Sequence, residues 1–574
     1  MAVIRNSFLL VFSAIVLLTP GYAQSSGSAA ETAAPLIQST TRLVQVSVIA
    51  KSHDRPAEGL KAEDFKVFAD GRPQKVSFFS VDSTAKGPVA PAPALAANTF
   101  TNSAPARSGA VNGITIVLLD LVNTRMTDRM YARQQLIKYL LEIPSDQHVG
   151  VYVFNGRLSV LHDYTADMAN FQKQLAEAKN RLVNVSQTEE IGALGVNDGN
   201  GASDLTGLGM GGGSAQERSF YLRDRVLGTM NVLKFIGSHF AELPGRKNLV
   251  WVSGGFPLTF GYEHMSKFSE DFFNEMDATV RSLSDANVAV YPVDARGLVA
   301  EPAYDASKAN TATPIMGKGR GGSSKAPAAP APKLGNHGAD IHATMDELAH
   351  RTGGHAYYNT NDLTRAIREA TDDSAYTYTL GFYPEEEKHN RDFHKIKVEV
   401  DQPHINLSYR SGYLDLAEIP SDDHTRSIQI HDALWSPLDA TELSLVVNVA
   451  KPVNSGSVFT GGAAAESSDA VVVAVTLQPR GVQVKPEGDR YTGRVDVLMV
   501  QFDSAGRPLD SPMETVALNM KDPTYRKFLM DGLSVKETLK IMPQTKSIRV
   551  IVRDFGSGMI GSVSVPTKDL SGII

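Results

Sequence analysis

The hydrophobic period of this chain changes twice along its length, and that constrains the fold more than any other feature. Val44, Val46 and Val48 alternate with polar residues, the period-two mark of a strand with one face in a core and one in water. From Ile114 to Leu119 the run is apolar without alternation and is closed by Asp120, as in a parallel strand covered by helices on both faces. Alternation then returns in Tyr376, Tyr378, Leu380 and Phe382, and again in Ile396, Val398 and Val400. A purely helical fold and a single β-sandwich are both excluded. The pattern predicts a multidomain α/β plus all-β protein, with a doubly wound α/β domain between two stretches of half-buried strands.

Within residues 112–373 the expected elements alternate. Helices are predicted over residues 126–141, 167–181, 215–240, 268–286, 341–351 and 361–371, the first burying Met130, Ile137 and Leu141. Strands are predicted over 148–154, 157–161, 249–253, 288–293 and 355–358, with Asn155-Gly156 as a hairpin turn. Residues 185–214 and 303–334 have no apolar face and are predicted as mobile inserts. The strands over 41–84, with a hairpin at Asp70-Gly71, and those over 374–415 are each too short to bury a core alone. They are predicted to pair as one small β-sandwich into which the α/β domain is inserted. Residues 24–40 read as a flexible leader, the Ala/Pro-rich residues 85–111 as a linker, and residues 427–574, with repeated period-two runs, as a C-terminal β-sandwich.

The compartment is read from the first residues. Arg5 precedes an apolar run over residues 8–18, and Gly21-Tyr22-Ala23 sets small residues before a cut after Ala23, the layout of a signal peptide. That run of about eleven residues is shorter than the roughly 20 a spanning helix needs. The expectation is a secreted or periplasmic protein with no membrane span after cleavage. The chain of 574 residues has no cysteine, which excludes disulfides, thiolate metal sites and cysteine nucleophiles. Its 56 Lys and Arg against 63 Asp and Glu leave a net charge of −7, which offers no general attraction to nucleic acid.

Several blocks in order carry a family resemblance: Gly59-Leu60-Lys61-Ala62-Glu63-Asp64-Phe65, then residues 246–255 (RKNLVWVSGG), 291–298 (YPVDARGL), Thr352-Gly353-Gly354, 378–384 (YTLGFYP), 394–398 (HKIKV) and Arg410-Ser411-Gly412-Tyr413. Over residues 43–413 the chain resembles von Willebrand factor type A (VWFA) domain proteins, and more specifically the VWFA-related family described from acidobacterial proteins. The resemblance implies a VWA-like α/β domain in an extracytoplasmic protein, and a fold used for protein and matrix recognition. It also implies a divalent-ion site formed by an Asp-x-Ser-x-Ser loop, a Thr from a second loop and an Asp after the fourth strand.

Here that site departs from the pattern. The first loop is Asp120-Leu121-Val122-Asn123-Thr124, so Val122 stands at the first serine position, and Gly254 stands where the second Asp belongs. Asp120, Asn123, Thr124 and Ser253 are the remaining candidate metal ligands, a degenerate set that predicts weak Mg²⁺ or Mn²⁺ binding or none, because a near-octahedral ion loses affinity quickly as ligands disappear. Asp198 or Asp204, in the glycine-rich insert, could complete it. The simpler role for Asn123 or Thr124 is to cap the following helix.

Other motifs carry less. Gly207, Gly209 and Gly212 spell a dinucleotide-like G-x-G-x-x-G, but no apolar strand precedes them. Ser253 lacks the first glycine of a G-x-S-x-G elbow, Trp251 standing there. His342, His350 and His355 do not share the spacing of a helical zinc motif and read as core or surface histidines. The function expected is therefore non-enzymatic binding or adhesion to a protein or extracellular matrix-like ligand, with no cofactor. Phe256, Phe260 and Tyr262 are the candidate partner-binding anchors. The alternatives are a structural envelope scaffold and an exported hydrolase.

Overall fold

The computed structural model describes residues 43–53, 55–83, 95–103, 113–144, 147–165, 167–177, 215–256, 259–260, 270–298, 337–373, 376–384, 393–414, 422–452, 470–510, 512–570 and 572–573. The leader, the proposed cleavage site, Asp198, Asp204, the three glycines of the dinucleotide-like motif and both predicted inserts lie outside these residues.

At the centre is a five-stranded sheet ordered Val288–Asp294, Lys247–Ser253, Ile114–Asp120, Val149–Phe154, Leu158–His162. The first four strands run parallel and the last is an antiparallel edge. Because successive side chains of a strand point to opposite faces, the strand Ile114–Asp120 serves two cores. Ile114, Ile116 and Leu118 pack with Met230, Leu233 and Ile236 of the helix Ala215–His239 and with Met345 and Leu348 of the helix His337–Thr352. Val117 and Leu119 pack with Leu136 and Tyr139 of the helix Met126–Glu142 and with Leu363 and Ile367 of the helix Leu363–Asp372. An uninterrupted apolar strand is the sequence trace of this two-sided burial.

The Asn155-Gly156 turn joins the last two strands, with Phe154 opposite Leu158 and Gly156 at φ +98°. Two local expectations are corrected. Met130 is exposed, whereas Ile137 and Leu141 are half-buried against the core that the helix Met126–Glu142 fills with Ala132, Leu136, Tyr139 and Leu140. Residues 355–358 form no strand, only a single bridge from Tyr357 to Val293.

Strands before and after this unit pair with one another. Val44–Ser52 lies antiparallel to Tyr376–Phe382, which in turn pairs with Phe78–Ser83. A facing sheet pairs Phe393–Val400 with Phe65–Ala69 and Gly412–Leu414. Val46, Val48, Phe65, Val67, Tyr378, Leu380 and Ile396 fill the space between them. Asp70 and Gly71 both take positive φ, 48° and 79°, as the two-residue hairpin to Arg72–Gln74 requires.

The C-terminal part is also β-rich, with one sheet built on Leu445–Ala450, Ala470–Leu477 and Leu533–Lys540 and another on Arg490–Phe502, Ser547–Asp554 and Ile560–Pro566. It opens with a helix, Asp423–Trp435. The fourth strand of the first sheet comes from far away in sequence. Thr99–Thr101, within the Ala/Pro-rich segment read as a linker, pairs antiparallel with Leu445–Ala450. Asn102, wholly buried, donates through Nδ2 to the carbonyls of Ala440 and Leu443, and its Oδ1 accepts from the Leu445 amide. No helix among the described residues is long and apolar enough to cross a membrane.

One buried cation gives the fold a pH signature. Lys247 begins its strand 1% exposed, and its ammonium donates to the Leu243 carbonyl at 2.7 Å. Burial pulls its pKa down to about 7, against a smaller opposing pull from Asp82. A base whose folded pKa is depressed binds fewer protons folded than unfolded, so stability rises with pH between the folded and unfolded values. Relative to Lys247→Met, the wild type is expected to gain about 1.4 kcal/mol per pH unit from about pH 7 to about pH 10. Urea unfolding of both proteins across that range checks it; a constant difference would mean that Lys247 stays ionised in the fold.

Candidate functional site

Three parallel strands end on one edge of the central sheet in polar residues: Asp120, Ser253 and Asp294. Ligands of open α/β sheets bind beyond such carboxyl ends, so this edge is the candidate site. Asp120, Thr124, Ser253 and Asp294 are each 0% exposed and Asn123 is 2% exposed.

The structure brings the four candidate metal ligands together but turns them onto one another. Asp120 accepts from the Asn123 amide at 3.1 Å and from Asn123 Nδ2 at 2.7 Å. Trp251 Nε1 and Ser253 Oγ also donate to it, at 3.1 and 2.9 Å. Burial pushes the Asp120 carboxyl up, and these donors pull it back toward ionisation. All four partners are donors, as an ionised carboxylate requires. Thr124 donates to the Asp120 carbonyl and accepts from the Gly254 amide.

Neither Asn123 nor Thr124 caps the helix Met126–Glu142, whose N-cap is Arg125. Two residues of the helix Ala215–His239 complete the network: Thr229 Oγ1 accepts from Asn123 Nδ2, and Arg225 donates to Asn123 Oδ1. These partners lie about a hundred residues away in sequence, and neither belongs to a local motif.

The position at which the resemblance would put a second Asp is closed sterically. A Cβ on Gly254 would stand 2.3 Å from the Asn123 carbonyl oxygen, and one on Gly255, whose φ is +72°, would stand 2.4 Å from Ile341. The residues present therefore do not fit an octahedral divalent ion: the one carboxylate is saturated by protein donors, and its neighbour has no room for a ligating side chain. Among the described residues no three His, Asp or Glu side chains converge as a metal cage. Ser253 donates its proton to Asp120 and has no solvent-facing surface.

The third strand end holds a second cluster. Arg296 grips Asp294 through Nε and Nη2, at 2.9 and 2.7 Å, and His342 Nε2 lies 2.9 Å from Asp294 Oδ2. The His342 ring stacks on Tyr358 with centroids 4.2 Å apart. This ties the helix His337–Thr352 to the strand end and gives His342 a specific place. His350 lends its backbone carbonyl to Ser411, and His355 is exposed against Tyr357.

The candidate partner anchors are corrected in part. Phe256 is 1% exposed and packs on Trp251 with ring centroids 5.7 Å apart, so it belongs to the core and offers no contact surface. The Phe260 side chain and all of Tyr262 lie outside the described residues.

Comparison with known proteins yields little. No protein-family profile matches the chain, and no curated protein does. Among solved structures it is similar to an aerotolerance-related membrane protein from Bacteroides fragilis NCTC 9343 bearing multiple mutations to serines, at 16% identity over 45% of this chain and 98% of that one, with a TM-score of 0.22. It is also similar to a pilus adhesin from Lactobacillus rhamnosus GG, at 10% identity over 84% of this chain, with a TM-score of 0.24. That match spans 58% of the adhesin. At such low scores neither likeness settles a family, and the fold rests on the topology described above.

Proposed function

We propose that this is an exported, non-enzymatic recognition protein built on a von Willebrand factor type A-like α/β unit, whose carboxyl edge contacts a protein or matrix-like partner without a divalent ion. The observation that carries this reading is the contrast between the closed polar interior of that edge and the apolar side chains around it. Phe220 and Tyr221, 66% and 51% exposed, lie just ahead of Arg225 on the long helix. Met126, 58% exposed, opens the helix that follows the Asp120 loop, and Leu298, 65% exposed, follows the Asp294 turn. Three separate segments thus present large apolar groups where the strands end. Exposed aromatic and methionine side chains on a rigid frame are typical anchors of protein interfaces.

Capture of native envelope proteins by the immobilised mature chain tests the reading, with and without EDTA. The combined change Phe220→Ala, Tyr221→Ala and Leu298→Ala is expected to weaken capture roughly a hundredfold or more, at about 1 to 2 kcal/mol per anchor. EDTA is expected to change nothing. Capture abolished by EDTA, or untouched by the triple substitution, would sink the proposal.

A further inference from the structure

The two sheets of the C-terminal part end, on one side, in the strands Met513–Lys521 and Leu533–Lys540. Among the described residues each pairs with one neighbour only, Arg490–Phe502 and Ala470–Leu477 respectively, so this side of the sandwich is open. The helix Asp522–Asp531 joins the two strands and plugs one end of the gap, where Tyr525 and Phe528 pack on Leu518, Met520 and Leu533. Val516 and Val535, both half-buried, line the gap beyond the helix.

Where this apolar plug runs out, the register puts a glutamate on each edge. Glu514 lies opposite Val497 and Glu537 opposite Val473. Directly opposed residues of an antiparallel pair share a face, and both valines belong to the core between the sheets, so both glutamates stand on inward-facing positions. Acids there break the apolar row that a core-facing strand otherwise keeps. Glu537 is half-buried, and its carboxyl hydrogen-bonds that of the exposed Glu514. Two ionised carboxylates only accept, so this bond needs one proton held between them.

The other charges on the packed elements are turned away from the pair. Ala470–Leu477 carries no ionisable residue. Arg490, Arg494 and Asp496 alternate to the outer face of their strand, where Asp496 meets Arg426 and Thr515. Lys521, Lys536 and Lys540 alternate to the outer faces of theirs. On the helix, Arg526 pairs with Asp522 and Lys527 with Asp531. Burial, and then Glu514, push the Glu537 carboxyl above the ordinary carboxylate range. An acid raised in this way adds stability below its unfolded value and loses it as pH rises through its folded value. The pair therefore holds in mild acid, and at higher pH its members repel. We propose that Glu514 and Glu537 form an acid-set latch: one shared proton holds the open side of the C-terminal sandwich shut, and its loss parts the strands Met513–Lys521 and Leu533–Lys540.

Hydrogen exchange of the full chain at about pH 5 and about pH 7.5, corrected for the intrinsic exchange rate, tests the latch. In the wild type, protection along both strands is expected to fall about tenfold or more between the two conditions, while that of Ile114–Asp120 holds. Glu537→Gln offers Glu514 a neutral donor and should keep both strands protected in both conditions. Glu514→Gln should do the same from the other side. Wild-type protection that is equal at the two pH values, or a loss that either glutamine variant shares, overturns the proposal.

Discussion

Gly254→Asp, which puts an acidic residue where the type A pattern that the chain resembles has one, is expected to destabilise the protein by about 3 kcal/mol or more and to gain no Mg²⁺ affinity. The new Cβ would stand 2.3 Å from the Asn123 carbonyl oxygen, so either the Asp120 loop or the turn after Ser253 must move. Moving either one breaks the bond from the Gly254 amide to Thr124. The added carboxylate would also enter a desolvated space beside Asp120, which is itself 0% exposed, and two buried like charges repel strongly. Urea unfolding measures the loss, and calorimetric titration with Mg²⁺ measures the affinity. Micromolar Mg²⁺ binding in a variant of near wild-type stability would show that the edge retains a metal geometry.

Asn102→Ala should be nearly as damaging, at about 3 kcal/mol, although it lies in a segment whose composition suggests a mere connection. Its side chain satisfies three buried backbone groups of the C-terminal sheet, the carbonyls of Ala440 and Leu443 and the amide of Leu445. Alanine leaves all three without that partner, in a place closed to water. The neighbouring Thr101 hydroxyl, which donates to the Leu445 carbonyl, cannot replace them. The expected signature is early loss of hydrogen-exchange protection at Leu445 and along Leu445–Ala450. A change below about 1 kcal/mol would mean that the sheet closes without Thr99–Thr101.

Much of the α/β unit was legible because its signals are local. Two-sided burial makes Ile114–Asp120 apolar at nearly every position, and in the Asn155-Gly156 turn Gly156 takes a positive φ that few other residues adopt. The stripe of the helix Met126–Glu142 was misread because Met130 and Leu136 are both apolar, while only the second faces a neighbour. Hydrophobicity names candidates for burial; the packing partner chooses among them. Phe256 misled for the same reason, since nothing local distinguishes an exposed phenylalanine from one stacked on Trp251.

The sequence alone determined where the period changes, hence the order of β, α/β and β segments. Set beside the type A pattern that the chain resembles, it also put Val122 and Gly254 where that pattern has oxygen ligands, because side-chain chemistry can be read one residue at a time. Only the tertiary structure decided what became of the residues left behind. Asp120, Asn123, Thr124 and Ser253 come together from two strand ends, and their donors and acceptors are used up by one another and by Trp251, Thr229 and Arg225. Tertiary structure likewise made Thr99–Thr101 a strand, since a three-residue segment too short to pair on its own gains its bonds from Leu445–Ala450, more than three hundred residues onward. Satisfaction of buried polar groups is a property of what meets in space, and a linear pattern holds no record of it.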